Sequence, residues 1–378
     1  MVVLPFFNRS APELDWISES IAYRITEVLA SDELWVVNRE ERLEVMRRLS
    51  LNPAAEITRA SMLKVAEELD AAWLVAGEFE VNPAPVKHAA GDRAAGDRSL
   101  RISGFLVDVR QLRKGPSWVE HGPLEELSKL QTQFAWQVLR SLAGENTPLL
   151  ERFLAGQTPV RLDAIENYIR GLQAATPELK HRYFTQAARL QPGYSAPCYQ
   201  LGRLYFQRKE YRHAASWLAR VAPSDPSYFH ALFLLGLCRY YVGDFTGATV
   251  AFEQVSRELP LNEVLNNLGA AQSRRNLPEA LENFWKALDG DPSDPDYHFN
   301  AGYALWKRRE FQAAAERFQA ALANNPEDSE AALLLNRCLE KSGPRANDPR
   351  SVGLERLKHN FAERAWRELK ARVPDVAP

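Results

Sequence analysis

From about residue 164 to 341 the apolar positions recur at helical spacing in paired blocks. Four small-residue pairs mark the beat: Leu201-Gly202, Leu235-Gly236, Leu268-Gly269 and Ala301-Gly302, with glycines stepping by 34, 33 and 33 residues. A second set keeps the same register. Ala214, Leu218, Val221 and Pro226 return as Ala248, Phe252, Val255 and Pro260, then as Ala280, Phe284, Ala287 and Pro292, and again as Ala314, Phe318, Ala321 and Pro326. Gly171-Leu172 with Phe184, Ala187 and Pro192 begins the series one unit earlier. The pattern predicts stacked helical hairpins. Small residues let the two helices of a unit approach, the large residue fills space between units, and proline ends the second helix. One hairpin cannot bury its apolar face, whereas stacked copies can, so the array forms a solenoid with a concave and a convex side. Five units and a partial sixth are expected, the sixth having one helix, Ser329 to Lys341, before the polar break Ser342 to Pro349. Beyond it Leu354, Leu357, Phe361 and Leu369 beside Trp366 read as an amphipathic helix able to cap the solenoid or to bind a partner.

Residues 1 to 145 carry a different pattern, in which strands alternate with helices. Val2 to Phe6 reads as a strand, Ser10 to Glu13 as a capping box, and Leu14, Ile17, Ile21, Ile25 and Val28 as one helical face. Leu34 to Val37 reads as a second strand, making a parallel βαβ unit. Helices near Arg42 to Leu49 and Ser61 to Leu69 follow. Alternation at Trp73 to Val81 and Leu100 to Leu106 predicts two longer strands, Trp118-Val119 a further one, and Leu127, Leu130, Phe134 and Val138 a closing helix. The stretch Asn82 to Arg98, with Gly91-Asp92-Arg93 and Gly96-Asp97-Arg98, reads as an exposed hairpin loop.

Composition narrows the function classes. With 47 Lys plus Arg against 49 Asp plus Glu, no basic field would attract nucleic acid. No apolar run is long enough for a membrane helix. Cys198, Cys238 and Cys338 are odd in number and far apart, as expected of small core residues. The histidines His88, His121, His181, His213, His230, His298 and His359 lack metal-ligand spacing. No zinc-protease, nucleophile-elbow, Walker or dinucleotide-binding motif occurs. No catalytic residue, cofactor or metal is therefore expected.

Two resemblances add to this reading. The repeat spacing and residue classes resemble the tetratricopeptide repeat, which implies a protein-binding solenoid. The run Val3-Leu4-Pro5-Phe6-Phe7-Asn8-Arg9-Ser10, with Leu14-Asp15-Trp16-Ile17, Ile21, Leu69 to Phe79 and Leu100 to Arg110, resembles the amino-terminal α/β domain of TolB-like proteins. That resemblance carries no catalytic residues and implies assembly functions, in bacteria often beside tetratricopeptide repeats. The expected class is α+β multidomain: a small α/β domain at 1–145, a linker at 146–163, an all-α solenoid at 164–341, a polar linker at 342–353 and an amphipathic helix and tail at 354–378.

In such an array the concave wall is built from the first helices. By spacing it includes Tyr199, Arg203, Phe206, Phe233, Tyr240, Tyr241, Asn266, Arg274, Phe299, Tyr303, Trp306 and Lys307, an aromatic groove with scattered cations suited to an extended or helical peptide. The expectation is an adaptor or scaffold with a protein or peptide partner. Alternatives are an α/β domain that binds a small ligand or has weak hydrolase activity, with the repeats regulating it or serving as an oligomerisation module, and a homo-oligomer formed through an exposed strand edge of the α/β domain. The compartment is open: the cell envelope if an export leader precedes Met1, otherwise the cytoplasm.

Overall fold

The alternation of residues 73–82 and 99–108 is realised as a long antiparallel pair, the centre of a five-stranded sheet. The computed structural model describes residues 1–30, 34–82 and 98–362. Two compact units divide the chain, one Met1–Pro197 and the other beginning at Cys198.

In the first unit the elements are β1 (Val2–Val3), β2 (Phe7–Asn8), α1 (Trp16–Leu29), α2 (Arg39–Arg48), α3 (Arg59–Glu68), β3 (Trp73–Asn82), β4 (Ser99–Asp108), β5 (Arg113–Pro123) and α4 (Leu127–Ala143). They continue with α5 (Leu150–Ala155), α6 (Leu162–Gln173) and α7 (Pro177–Leu190). β1 and β2 both pair parallel with β3, while β3–β4 and β4–β5 are antiparallel. The expected strand Val2 to Phe6 is thus split. Pro5 has no N–H to give, so the ladder stops there and resumes at Phe7.

Side chains alternate across β3 between two cores. Leu74 and Ala76 join Val2, Val45, Met46 and Val65, the last three from α2 and α3. On the other face, Gly77 and Gly104 leave room for Phe6 and for Phe134 of α4: a Cβ at Gly104 would stand 2.8 Å from the Phe134 ring. Phe6, Phe134 and Trp118 meet edge to face at 5.4 and 5.7 Å. Across the sheet edge Arg42 is buried, with Nη1 donating to the Val3 carbonyl at 2.8 Å and Nη2 to Glu19 at 2.5 Å.

Two expectations here are corrected and a third is untested. Leu34 to Val37 is not a sheet strand. It runs beside Met1, whose amino group donates to the Trp35 carbonyl and whose carbonyl accepts from Val37 N–H, contact too short to extend a ladder. The capping box is absent, because Ser10 Oγ instead accepts from Val81 N–H at 2.6 Å, tying the turn to β3, and Pro12–Leu14 forms a 3₁₀ turn. The expected loop lies almost wholly in 83–97, outside the described residues, as do both glycine triplets apart from Arg98. The first repeat hairpin, α6–α7, packs against α1, where Tyr168 donates its hydroxyl hydrogen to Tyr23 at 2.8 Å and the rings meet at 5.3 Å.

The second unit holds α8 (Ser195–Gln207, entered from the first unit), α9 (Tyr211–Leu218), α10 (Tyr228–Tyr241), α11 (Phe245–Glu258), α12 (Asn262–Arg274), α13 (Glu279–Gly290), α14 (Pro295–Lys307), α15 (Phe311–Asn324) and α16 (Ser329–Leu339). Each glycine of the sequence beat faces the large residue of its own hairpin. A Cβ at Gly202, Gly236, Gly269 or Gly302 would fall 2.5, 2.7, 2.8 or 3.1 Å from Leu218, Phe252, Phe284 or Phe318. The large residue therefore seals the seam within a unit, rather than only the space between units as expected. The turn inside each hairpin passes through a left-handed residue, Lys209, Gly243, Asn276 and Arg309 in succession. Lys341 after α16 has the same conformation, but among the described residues no second α-helix follows it. The three cysteines are buried, and burial pushes their thiols up to about 11, 12 and 11 at Cys198, Cys238 and Cys338.

Candidate functional site: the groove and the segment within it

α10, α12 and α14 place their outward residues along one face of the second unit, and the chain's own residues 350–361 lie across that face. The segment is not the helix expected from Leu354, Leu357 and Phe361. After the 3₁₀ turn Pro349–Ser351, residues 352–362 belong to no helix or strand, while Leu369 and Trp366 lie outside the described residues. An extended segment needs outside partners for its peptide groups, and two asparagines supply them. Asn300 Nδ2 donates to the Arg356 carbonyl at 2.7 Å and its Oδ1 accepts from Arg356 N–H at 2.8 Å. Asn267 does the same for Lys358, at 2.7 and 2.8 Å. Asn266 adds a third bond, to the Arg356 carbonyl at 2.9 Å, and is itself braced by Asn300 at 2.7 Å. The paired bonds sit on alternate residues, the spacing at which an extended chain turns the same edge to one wall.

Side chains along the segment meet matched charge. The Glu355 carboxylate is fully enclosed and takes hydrogen bonds from Ser273 Oγ at 2.8 Å, Lys307 Nζ at 3.2 Å and the Tyr240 hydroxyl at 3.3 Å. Arg356 makes a two-pronged pair with Asp328 at 2.6 and 2.8 Å, reaches Asp296 at 3.4 Å, and lies over the Phe299 ring at 3.6 Å. Burial would raise the Asp328 carboxyl, but the Arg356 hydrogen bonds together with backbone N–H donors hold it below its ordinary value. Lys358 bonds Asp294 at 2.7 Å and Asp296 at 2.8 Å; burial works against its charge, yet these two carboxylates raise it overall. Further along, His359 Nε2 and the Tyr241 hydroxyl are 2.7 Å apart, and the Phe361 ring meets Phe233 at 4.8 Å and His230 at 4.6 Å.

Most residues assigned to the groove by spacing converge on this segment. Beyond those already described, Tyr303 donates to the Arg350 carbonyl at 2.9 Å, Trp306 Nε1 to the Ser342 carbonyl at 2.8 Å, and Arg274 lies beside Gly353 and over Phe245. Phe206 faces His359 with ring centres 6.5 Å apart. Tyr199 and Arg203 pair with each other on α8 at 5.7 Å. Phe299, Tyr303 and Trp306 are essentially without exposure, so they form the floor as well as the wall. Spacing missed Asn267, Asn300, Ser273, Asp294, Asp296 and Asp328. A signal was available for two of them. Asn267 and Asn300 occupy the same repeat position, two residues before Gly269 and Gly302, where a polar amide in a closely packed helix has no intrahelical reason to be.

The arrangement of hairpins and groove can now be set beside known proteins. Residues 268–316 and 299–343 match the tetratricopeptide repeat. Solved structures are similar to part of the chain. One is MamA 41-end from Desulfovibrio magneticus RS-1, 25% identical, covering 42% of this chain and 92% of its own with a TM-score of 0.38. Another is YrrB, described as a tetratricopeptide protein with an unusual peptide-binding site, 20% identical, covering 46% and 92% with a TM-score of 0.43. A further MamA structure is 16% identical, covering 44% and 94% with a TM-score of 0.41. No curated protein sequence matches the chain. The tetratricopeptide repeats account for the hairpin geometry.

Among the described residues no group of His, Cys, Asp and Glu could hold a metal ion, and no helix is long and apolar enough to cross a membrane. The acidic trio Asp294, Asp296 and Asp328 is matched by Arg356 and Lys358. In the first unit an open cavity of about 340 Å³ is lined by Leu4, Phe7, Phe105 and Trp118. Its charged rim is already engaged, with Glu78 bonded to Arg9 and Lys114 over the Phe105 ring.

Proposed function

We propose that the protein is a non-enzymatic adaptor that binds a protein or peptide partner through the concave face of its tetratricopeptide repeats, within a bacterial multiprotein or envelope assembly. The observation that carries the reading is the pair of asparagines that satisfy the peptide groups of an extended segment, a device whose use is to hold polypeptide. The resemblance of residues 1–145 to TolB-like amino-terminal domains supports the assembly setting, with that domain as a docking or oligomerisation module. Burial of Tyr303 and Trp306 makes alanine there a test of folding, so the groove is better probed at its amides. Full-length protein carrying Arg356→Glu and Lys358→Glu, which opens the groove, is screened against an array of extended peptides. The same array is then applied after adding Asn267→Ala and Asn300→Ala. Binding of some peptides, lost with the asparagines, is expected; an array from which nothing binds removes the groove from the function.

A further inference from the structure

The groove does more than grip a backbone. Along the 355–361 segment, each side chain that turns toward the wall meets a complement of its own kind. A buried carboxylate at Glu355 meets a lysine and two hydroxyls. A guanidinium at Arg356 is sandwiched between a carboxylate and a ring, with the Asp328 pair at 2.6 and 2.8 Å and the Phe299 ring at 3.6 Å. An ammonium at Lys358 sits between Asp294 and Asp296, and an aromatic at Phe361 lies between His230 and Phe233. Two features make this recognition rather than incidental contact. The Glu355 side chain is fully enclosed, and an enclosed carboxylate is tolerated only where its partners are in place, while a neutral or basic residue at that point leaves the Lys307 ammonium, which otherwise bonds only Ser273, without its counter-charge. The Arg356 contact is a planar fork on a carboxylate, a geometry that lysine does not reproduce.

The geometry points to a specific ligand class: the groove selects extended segments of pattern Glu-Arg-x-Lys-x-x-aromatic, and residues 355–361 of this chain occupy it as an intramolecular stand-in that such a partner must displace. This rests on the adaptor reading above and adds to it the partner's sequence chemistry and the means of control. The tether fits the second part. Only residues 340–354 separate α16 from the 355–361 segment, and Arg337 with Asp348, at 2.5 Å, pins the connection midway. A tether of that length holds its end at roughly millimolar effective concentration, enough to set back a free peptide of roughly 10 μM affinity about a hundredfold.

The test uses full-length protein throughout. A fluorescein-labelled synthetic peptide spanning residues 350–361 is titrated, with anisotropy as the readout, into wild-type protein and into the Arg356→Glu, Lys358→Glu variant. The variant is expected to bind it about a hundredfold more tightly than wild type. Peptides with Glu at the Arg356 position, or with the sequence shuffled, are expected to bind the variant at least about thirtyfold more weakly than the native peptide. Equal binding of native and shuffled peptides overturns the selectivity while leaving the adaptor reading intact. Equal binding to wild type and variant overturns the occupancy by the chain's own segment. A variant that binds no peptide at all overturns both readings, provided its far-UV circular dichroism matches wild type, as it should because neither substituted side chain lies in the repeat core. Finally, a wild-type protein that sediments as a dimer and becomes a monomer in the variant overturns the intramolecular placement.

Discussion

Asn300 holds both polar groups of the Arg356 peptide at once, donating to its carbonyl at 2.7 Å and accepting from its N–H at 2.8 Å across 56 residues of chain. With the segment in place the Asn300 amide is buried in α14, so its polar groups find their hydrogen bonds in Arg356 and Asn266. Docking and the packing of α12 against α14 are therefore linked through this residue and Asn266. Replacing Asn300 by alanine should remove two hydrogen bonds, weakening docking by about 1–3 kcal/mol. In hydrogen exchange, the amides of Arg356 and Lys358 should then exchange at least tenfold faster while those of α10 stay protected. Unchanged exchange at Arg356 would show that the asparagine does not hold the segment.

Acid and alkali should each release the segment, for opposite reasons. Asp328 is held below its ordinary value when docked, so its contribution is complete above the ordinary aspartate range and is lost as pH falls through the depressed value. Lys358 is raised, so its contribution is complete below the ordinary lysine value and is lost as pH rises through the raised one. Fluorescence of a probe near residue 360 should show a docked plateau between about pH 4 and pH 10. An Asp328→Asn variant should lose the acid limb of that profile.

The glycine beat should be intolerant of even one methyl. At Gly236 a Cβ would stand 2.7 Å from the Phe252 ring, and a ring wedged between two helices cannot swing aside as a long flexible chain could. Gly236→Ala gains about 1 kcal/mol of helix propensity but should lose more to overpacking, for a net destabilisation of about 1–2 kcal/mol in urea unfolding. A more stable Gly236→Ala protein would mean that the hairpin seam is looser than it stands here.

Arg42 tests the first unit. Its guanidinium is enclosed between Glu19 and the Val3 carbonyl, so Arg42→Ala leaves that carbonyl unpaired and Glu19 with Arg39 alone, at 3.1 Å, and should cost about 3 kcal/mol. Arg42→Met with Glu19→Leu should recover most of that loss in thermal melts, since the site can be filled by apolar groups of similar size. Failure of the double variant to recover would mean that the pair is needed to align β1.

Thiol chemistry offers a simple check on the second unit. Burial pushes the Cys198, Cys238 and Cys338 thiols up to about 11, 12 and 11, leaving little thiolate at neutral pH. All three should resist a thiol-reactive dye in native buffer and react together on denaturation. Fast labelling of Cys338 alone would place local opening at α16.

The repeat array was legible from the chain because its cause is local and periodic: Gly236 and Phe252 lie 16 residues apart and their relation recurs at Gly202–Leu218, Gly269–Phe284 and Gly302–Phe318. The long strands β3 and β4 were legible for the same reason, since alternation is written into neighbouring residues. The ends were not. Leu34 to Val37 has the composition of a strand, but whether it joins a sheet depends on how much of Met1 to Val3 lies beside it.

What the sequence by itself determined, then, is the hairpin unit, its register and the set of aromatic residues that share a wall. Only the tertiary structure decided what lies on that wall. The spacing of Leu354, Leu357 and Phe361 is helical, and an isolated stretch with that pattern would form a helix or nothing. In the folded protein Asn300 and Asn267, 56 and 91 residues earlier, supply the hydrogen bonds that a helix would have supplied internally, while Asp328, Asp294 and Lys307 supply the charges. Those partners come from α12, from α14 and from the residues that cap the starts of α14 and α16, and no pattern within the segment could announce them.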